Sequence, residues 1–359
     1  MNQNSVGKSP LRIGVLGAGP IAQFGHFEAC SKASNAELYA ICDVAEDLAE
    51  RMAVTHDASH VFTDYEAMLA DPDVEGVIVA TSDPFHVPMS IRALEAGKAV
   101  LSEKPLGISV EDVLELEAAV QRTGGYLQVG HMKRFDPGIE AAKHFIDTKM
   151  GDIQALKAWY CDSTHRYTNT DAVQPLPVRS ANARKPAGDP KADKQSYFML
   201  AHGSHLVDLM RHLAGEITAV SARLSEKFGS YCWFVDVEFA NGTLGHMDLT
   251  VAVRMDWHEG FQMYGEHGAI LAKTFNPWYY RSSEVDIFDE ETASTTRVLG
   301  ADGHFFKRQV EGFARAARGE ETQAAGIVDG VQSVKVMAAI RQSVASGKPV
   351  DVASTTGGV

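Results

Sequence analysis

The sequence predicts an α/β protein. An N-terminal, doubly wound parallel sheet is followed by an α+β domain built on an open, mainly antiparallel sheet. Three observations carry this. Short apolar, β-branched runs alternate with helical stretches over the first 133 residues. Period-two alternation takes over between residues 217 and 290. The chain has 359 residues, which at roughly 150 residues per domain suggests two domains. With 45% hydrophobic and 22% charged residues, each has enough apolar side chains for its own core. The expected division is 1–133 and 134–359.

LRIGVL (11–16) is the first expected strand; after a glycine turn, Ile21, Phe24 and Phe27 recur at helical spacing. ELYAICD (37–43), a helical AEDLAERMA (45–53) and DYEAMLAD (64–71) follow. EGVIVATS (75–82) has the continuous apolar character of a parallel strand covered on both faces. HVPMSIRALEAG (86–97) reads as a helix closed by Gly97, and KAVLSEKP (98–105) as a strand stopped by Pro105. VEDVLELEAAVQRTG (110–124) is a helix ending at Gly124, and YLQVGHM (126–132) a further strand. Connections this short between strands and helices require right-handed crossovers and a parallel sheet.

The pattern changes near residues 133–150. A helical IEAAKHFIDTKMG (139–151) leads into IQALKAWYCD (153–162) and then a long polar stretch, 163–195. ITAVSARL, CWFVDVEF, GTLGHMDLTVAV, GFQMYGEHGAILA and YYRSSEVDIF alternate with period two, with turns at Asn241-Gly242 and Gly265–Gly268. Such alternation fits an antiparallel sheet with one face buried. Helices around 304–319 and 327–347 close the chain.

Forty-seven acidic against 33 basic residues give a formal charge of −14. An acidic chain repels phosphate backbones and anionic headgroups, so neither nucleic acid nor a membrane is an expected partner. The four cysteines, Cys30, Cys42, Cys161 and Cys232, have no metal-finger spacing and suit a reducing compartment. MNQNSVGKSP lacks a hydrophobic signal core, and no run of eighteen apolar residues occurs. The expected location is cytoplasmic.

Gly17-x-Gly19-x-x-Ala22 follows an expected strand and opens an expected helix, the context of a Rossmann dinucleotide fingerprint. The first glycine permits the tight turn and the second lets the backbone approach a pyrophosphate. Ala22 lets helix and strand pack closely, and the helix N-terminus offers free N–H groups. Asp43 ends the second strand, where a carboxylate accepts from the adenine ribose hydroxyls and repels a 2′-phosphate. Val44, Ala45 and Glu46 bring no cation, so NAD is expected over NADP. The alternative is a plain glycine turn with Asp43 capping the next helix. Ser102-Glu103-Lys104-Pro105 lies at a strand's carboxyl end, where open α/β sheets bind ligands. There Lys104 could hold a substrate oxygen and stabilise a forming alkoxide.

These residues resemble the Gfo/Idh/MocA oxidoreductases, relatives of glucose–fructose oxidoreductase and inositol dehydrogenase. The resemblance runs through Gly17-Ala18-Gly19-Pro20-Ile21-Ala22, Asp43, Ala80-Thr81-Ser82-Asp83-Pro84-Phe85-His86 and Glu103-Lys104-Pro105. It continues in His205-Leu206-Val207-Asp208-Leu209-Met210-Arg211, Gly265-Glu266-His267-Gly268, Phe313 and Asp329-Gly330. It implies NAD held by the glycine turn with Pro20 and Ile21, by Asp43, by Thr81, Ser82, Asp83 and His86, and by Glu103 and Lys104. It implies a sugar, cyclitol or related polyol as substrate, and a homo-oligomer, dimer or tetramer, formed through the C-terminal sheet. Lys104 and His205 would be catalytic. His205 would move the hydroxyl proton while Lys104 holds the oxygen, a task suited to neutral imidazole; without the resemblance, His205 reads rather as a buried helix histidine that caps a carbonyl.

One departure stands out. Family members often carry Asp four residues before this histidine, where this chain has Ala201. His202 and Asp208, three residues to either side of His205, are within side-chain reach on a helix. His202 is expected to take over part of the substrate contact, and Asp208 to orient the imidazole or touch substrate. For HMKRFDP, with Lys133, Arg134 and Asp136, the resemblance suggests substrate contact, with Arg134 as the candidate; the alternative is a solvated charge cluster. His202, His205, Asp208 and His212 also carry a zinc alternative, but hydride transfer needs no metal and none is expected. The 163–195 stretch, with Arg166, Arg179, Arg184, Lys185, Lys191 and Lys194 among Asp171, Asp189 and Asp193, is a lid, an inter-subunit arm or a passive insertion. Two rival functions share the scaffold: an NAD-dependent glycosidase or lyase working by transient oxidation, and a non-catalytic NAD- and sugar-binding regulator. An imine reductase is a third.

Overall fold

The computed structural model describes residues 9–162, 176–184 and 191–359. Six parallel strands make the first sheet: β1 (Leu11–Leu16), β2 (Ala36–Cys42), β3 (His60–Phe62), β4 (Gly76–Val79), β5 (Ala99–Ser102) and β6 (Leu127–Val129). Their order, β3-β2-β1-β4-β5-β6, is that of a doubly wound dinucleotide fold, with the chain reversing direction across the sheet between β1 and β4. β4, GVIV, is buried at every position, as its unbroken apolar run predicts. The sequence did not reveal β3. It is a three-residue edge strand, exposed or half-buried throughout, too short to display a period.

Local chemistry sets the helix ends. A π-type turn (Ala22–His26) runs into α1 (Phe27–Lys32), and α2 (Glu46–His56) and α3 (Tyr65–Ala70) follow. α4 (His86–Glu95) precedes β5. α5 (Val110–Thr123) starts where Ser109 Oγ accepts from Asp112 N and stops at Gly124, which takes the left-handed conformation. α6 (Pro137–Thr148) is capped by Asp136, whose carboxylate accepts from Gly138 N.

The second sheet has nine strands. In chain order they are β7 (Ile153–Asp162), β8 (Ile217–Lys227), β9 (Ser230–Phe239), β10 (Leu244–Val251) and β11 (His258–Gly265). β12 (Gly268–Thr274), β13 (Glu284–Asp289), β14 (Ser294–Arg297) and β15 (Val350–Asp351) complete it. The order is β14-β13-β12-β11-β7-β10-β9-β8-β15, antiparallel throughout except that β7 and β10 run parallel. One face is buried. On the other, Phe234, Leu244, Tyr264, Leu271 and Phe288 stand exposed.

Against the buried face lies a continuous helical run: α7 (Lys194–Phe198), a π-type turn (Met199–Gly203) and α8 (Ser204–Ala214). Beyond it come α9 (Phe305–Ala316) and α10 (Ile327–Ser346). Late in sequence as it is, α9 returns to the first sheet. Its Phe305, Phe306, Val310 and Phe313 share a core with Ile13, Phe27 and Ile78. α10 packs against α5 and β8, joining the two layers. No helix among the described residues is long and apolar enough to cross a membrane.

Candidate active site

β1 and β4 end side by side at the reversal point, and the loops that follow them frame a cavity of about 550 Å³. Gly17 has φ +97°, and a Cβ there would sit 2.7 Å from the Ala80 carbonyl oxygen, so only glycine fits. At Gly19 a Cβ would meet nothing within 4 Å, because the residue faces the open cavity. Gly17, Gly19, Pro20, Ile21, Asp43, Thr81 and Ser82 all line it. Ala22 is fully buried beneath, the packing role its size suggests. Asp43 Oδ2 accepts from Ala18 N at 2.8 Å and Oδ1 from Ala45 N at 2.9 Å. It therefore shapes the turn and lines the cavity; it does not cap the next helix, because α2 has Ala45 at its N-cap position and no side-chain cap.

His86 does not line this cavity. Its buried ring lies between the carbonyls of Pro105 (2.7 Å) and Thr81 (3.1 Å), bracing the loop after β4 against the one after β5. Asp83 opens the short 3-10 turn Asp83–Phe85. The bare backbone at Gly19 and the carboxylate at Asp43 fit a dinucleotide. Pro20 and Ile21 would flank its phosphates.

A second, smaller cavity of about 130 Å³ adjoins it, with Ile21 lining both. Lys104, Glu103, Lys133, His205, Trp257, Trp278 and Phe306 are among its walls. Lys104 leaves the end of β5, and its Nζ donates to the Ala201 carbonyl at 3.0 Å. The position without the acid thus engages Lys104 through its backbone, where the helix is π-wound. Burial lowers the Lys104 pKa, against the charges of Glu103 and Asp83. Glu103 is buried, its Oε1 2.8 Å from His26 Nε2 and its Oε2 accepting from Lys104 N at 3.1 Å. Burial would raise its pKa, but the His26 hydrogen bond and the neighbouring positive charges outweigh that and hold it down.

His205 is 8% exposed, its ring parallel to that of Tyr160 with centroids 6.2 Å apart. Burial, then the charges of Lys104 and Lys133, push its pKa well below the ordinary 6.5. The imidazole is neutral near pH 7 and free to take a proton.

The neighbours expected to help lie elsewhere. Asp208 does not orient His205. It grips Arg134 in a two-toothed pair, Nη2 to Oδ1 at 2.6 Å and Nε to Oδ2 at 3.0 Å. Arg134 also reaches Asp329 at 3.0 Å and opens onto a different cavity with His212. Neither Arg134 nor Asp208 lines the pocket of Lys104 and His205; they form a buried structural knot. His202 Nδ1 lies 3.1 Å from Tyr160 Oη and is also absent from that pocket's walls. The helix face that invited a zinc site is dispersed in this way, and among the described residues no three His, Cys, Asp or Glu side chains group to hold a metal.

Lys133, beside Arg134 in sequence, is the residue that reaches the pocket. It pairs with the buried Glu259 and sits over Tyr160 and Trp257 at 5.1 and 5.7 Å. The 3-10 turn Met132–Phe135 sends the two cations opposite ways, which sequence spacing alone does not specify. Trp257 and Trp278 were not anticipated either. They sit between strands, and no pattern in the chain marks them. Of the 163–195 stretch, residues 163–175 and 185–190, with Arg166, Asp171, Lys185 and Asp189, lie outside the described residues.

Two sequence models of one oxidoreductase family match the chain. The NAD-binding Rossmann fold matches residues 11–131, and the C-terminal alpha/beta domain residues 188–352. Inositol 2-dehydrogenase 2 of Saccharopolyspora erythraea is 27% identical over 96% of this chain and 96% of its own length. The scyllo-inositol 2-dehydrogenase (NAD(+)) of Bacillus subtilis is 26% identical, over 95% and 96%. An NAD-binding oxidoreductase structure from Klebsiella pneumoniae superposes with a TM-score of 0.79 at 19% identity, covering 96% of this chain and 99% of the other.

Proposed function

The chain belongs to the Gfo/Idh/MocA oxidoreductase family, and from that premise we propose that it moves a hydride between NAD and a secondary hydroxyl or carbonyl carbon of a sugar, cyclitol or sugar acid. The observation carrying this reading is that Lys104 and His205 line one small pocket that meets the dinucleotide cavity at Ile21. At about 130 Å³ the pocket is below the ~300–1,000 Å³ usual for drug-sized ligands, which favours a single ring. Its aromatic walls and few polar groups suit a small ligand fixed by two or three hydrogen bonds. The inositol dehydrogenases among its relatives support the polyol class.

In this account His205, held neutral by burial and by two ammonium neighbours, accepts the hydroxyl proton. Lys104 has three donors. One is spent on the Ala201 carbonyl, and the others hold the substrate oxygen and stabilise negative charge on it. The nicotinamide, when bound, supplies the hydride acceptor. Gly17, Gly19, Pro20, Ile21, Asp43, Thr81 and Ser82 position the coenzyme, with Ala22, Asp83, His86 and Glu103 behind them. Residues 1–133 serve as the coenzyme domain and 134–359 as the substrate and assembly domain. The exposed Phe234, Leu244, Tyr264, Leu271 and Phe288 on the outer face of the second sheet support self-association there. The four unpaired cysteines support a cytoplasmic setting.

The test is coenzyme reduction by the purified protein across polyols, aldoses and uronic acids, run in parallel with NAD and NADP. NADH formation with at least one ring polyol or sugar, and a preference for NAD, is expected. A panel with no reduction by either coenzyme contradicts the proposal.

A further inference from the structure

Residues 176–184 come from the second half of the chain but lie on the first. Val178 N donates to Gln23 Oε1 at 2.9 Å, and its carbonyl accepts from Gln23 Nε2 at 3.0 Å. The same amide nitrogen donates to the Ala18 carbonyl at 2.8 Å, inside the glycine turn. Further along, Ser180 Oγ and Asn182 Nδ2 donate to Asp47 Oδ1 at 2.7 and 3.2 Å. Gln23 follows the turn after β1, and Asp47 follows Asp43 after β2. The segment thus bridges the first helical turns after β1 and β2, between which the adenosine half of a dinucleotide lies in this topology.

Burial agrees with the hydrogen bonds. Val178 and Ala183 pack against the core of the first sheet, and Ala183 and Arg184 line the coenzyme cavity. Arg92, the other cation on that wall, is committed to Glu66 and to the face of Tyr65. Arg184 has no ion pair or hydrogen bond among the described residues. It is an unspent guanidinium at the edge of the cavity read as the dinucleotide site, and a guanidinium binds a pyrophosphate in two-toothed fashion.

We propose that residues 176–184 form a strap over the adenosine half of the coenzyme, that Arg184 is a coenzyme-binding residue, and that release requires the strap to lift. This rests on the reading of the cavity as a nicotinamide dinucleotide site. A passive insertion would need neither the paired contacts of Gln23 nor a seat on the cavity wall.

The experiment measures NADH, by its fluorescence, binding to and leaving the full-length protein. It compares wild type, Arg184→Gln and Asp47→Ala, and adds hydrogen exchange of 176–184 with and without NADH. Loss of a charge-assisted contact should weaken NADH binding about tenfold in Arg184→Gln. Asp47→Ala, which frees Ser180 and Asn182, should speed dissociation by several-fold. Exchange in the segment should slow when NADH binds. Wild-type dissociation in both variants, with exchange unchanged by NADH, overturns the strap while leaving the dinucleotide reading intact. Failure of the wild type to bind NADH overturns both.

Discussion

His205 sits beside two ammonium groups, Lys104 and Lys133, which disfavour its protonation after burial itself. The chemical consequence is a base that remains neutral to pH values well below 6.5. In alcohol oxidation, kcat/KM should therefore stay level from pH 7 through 6 and fall only below that. The alkaline limb should lie below 10.5, because burial lowers the pKa of Lys104. A pH profile of kcat/KM checks both limbs; an acid limb centred at 6.5 would contradict the buried placement of the imidazole. His205→Ala should lower kcat by about 10²–10⁴-fold, the usual contribution of a positioned acid or base, with NADH affinity changed only a few-fold. Lys104→Ala should behave alike. Rapid kinetics beside NADH titration separates these effects. Lys104 was marked in the sequence by its place at a strand's carboxyl end, but its pairing with His205 only by family resemblance, since a lone histidine carries little signal. The loop with Lys133 was marked by the resemblance, but with Arg134 as its candidate; a 3-10 turn decides which of the two reaches the pocket, and the two tryptophans, between strands, carry no signal.

At the scale of elements, the π-wound segment Met199–Gly203 links α7 to α8 and offers the Ala201 carbonyl to Lys104. The sequence registers a missing acid there; the structure supplies a backbone acceptor. Helical spacing put Asp208 near His205, yet its carboxylate turns to Arg134. A guanidinium from another element outbids an imidazole for it, with two parallel bonds rather than one. Arg134 joins the 3-10 turn to α8 and, through Asp329, to the start of α10. Removing one member of a buried ion pair leaves the other uncompensated, so Arg134→Ala should cost about 3–5 kcal/mol of stability. Arg134→Lys should recover only part, because an ammonium lacks the fork. Denaturant unfolding of the three proteins measures this. A variant of wild-type stability would mean the knot contributes nothing. Most strands were legible from an apolar run or a period of two; β3, β14 and β15, with two to four residues each, show neither and were not read.

Over the whole molecule, the two-layer plan follows from the switch between continuous apolar strands and period-two strands. The return of α9 to the first sheet does not, since its apolar stripe names no partner. Stability against pH follows from the buried groups. His131, His205 and His212 all have lowered pKa values, His212 to about 4, so the unfolded chain binds more protons than the folded one below about 6.5. Their contribution is intact above that pH and is lost as pH falls. Asp208 and Asp329, also lowered, add to the loss below the ordinary 3.8. The urea midpoint should thus decline from pH 7 to 5; a rise would reverse the assigned signs. The exposed Phe234, Leu271 and Phe288 on the outer sheet face predict that Leu271→Glu with Phe288→Glu lowers the mass found by light scattering, if that face joins copies as proposed. An unchanged oligomer mass would remove the sheet as the contact.

The most direct measurement follows an atom. With the substrate that reduces NAD best, deuterated at the reacting carbon, the label should appear on the nicotinamide ring of the NADH produced. Deuterium recovered in water instead would mean that the carbon loses a proton rather than a hydride, and would contradict the mechanism assigned to Lys104 and His205.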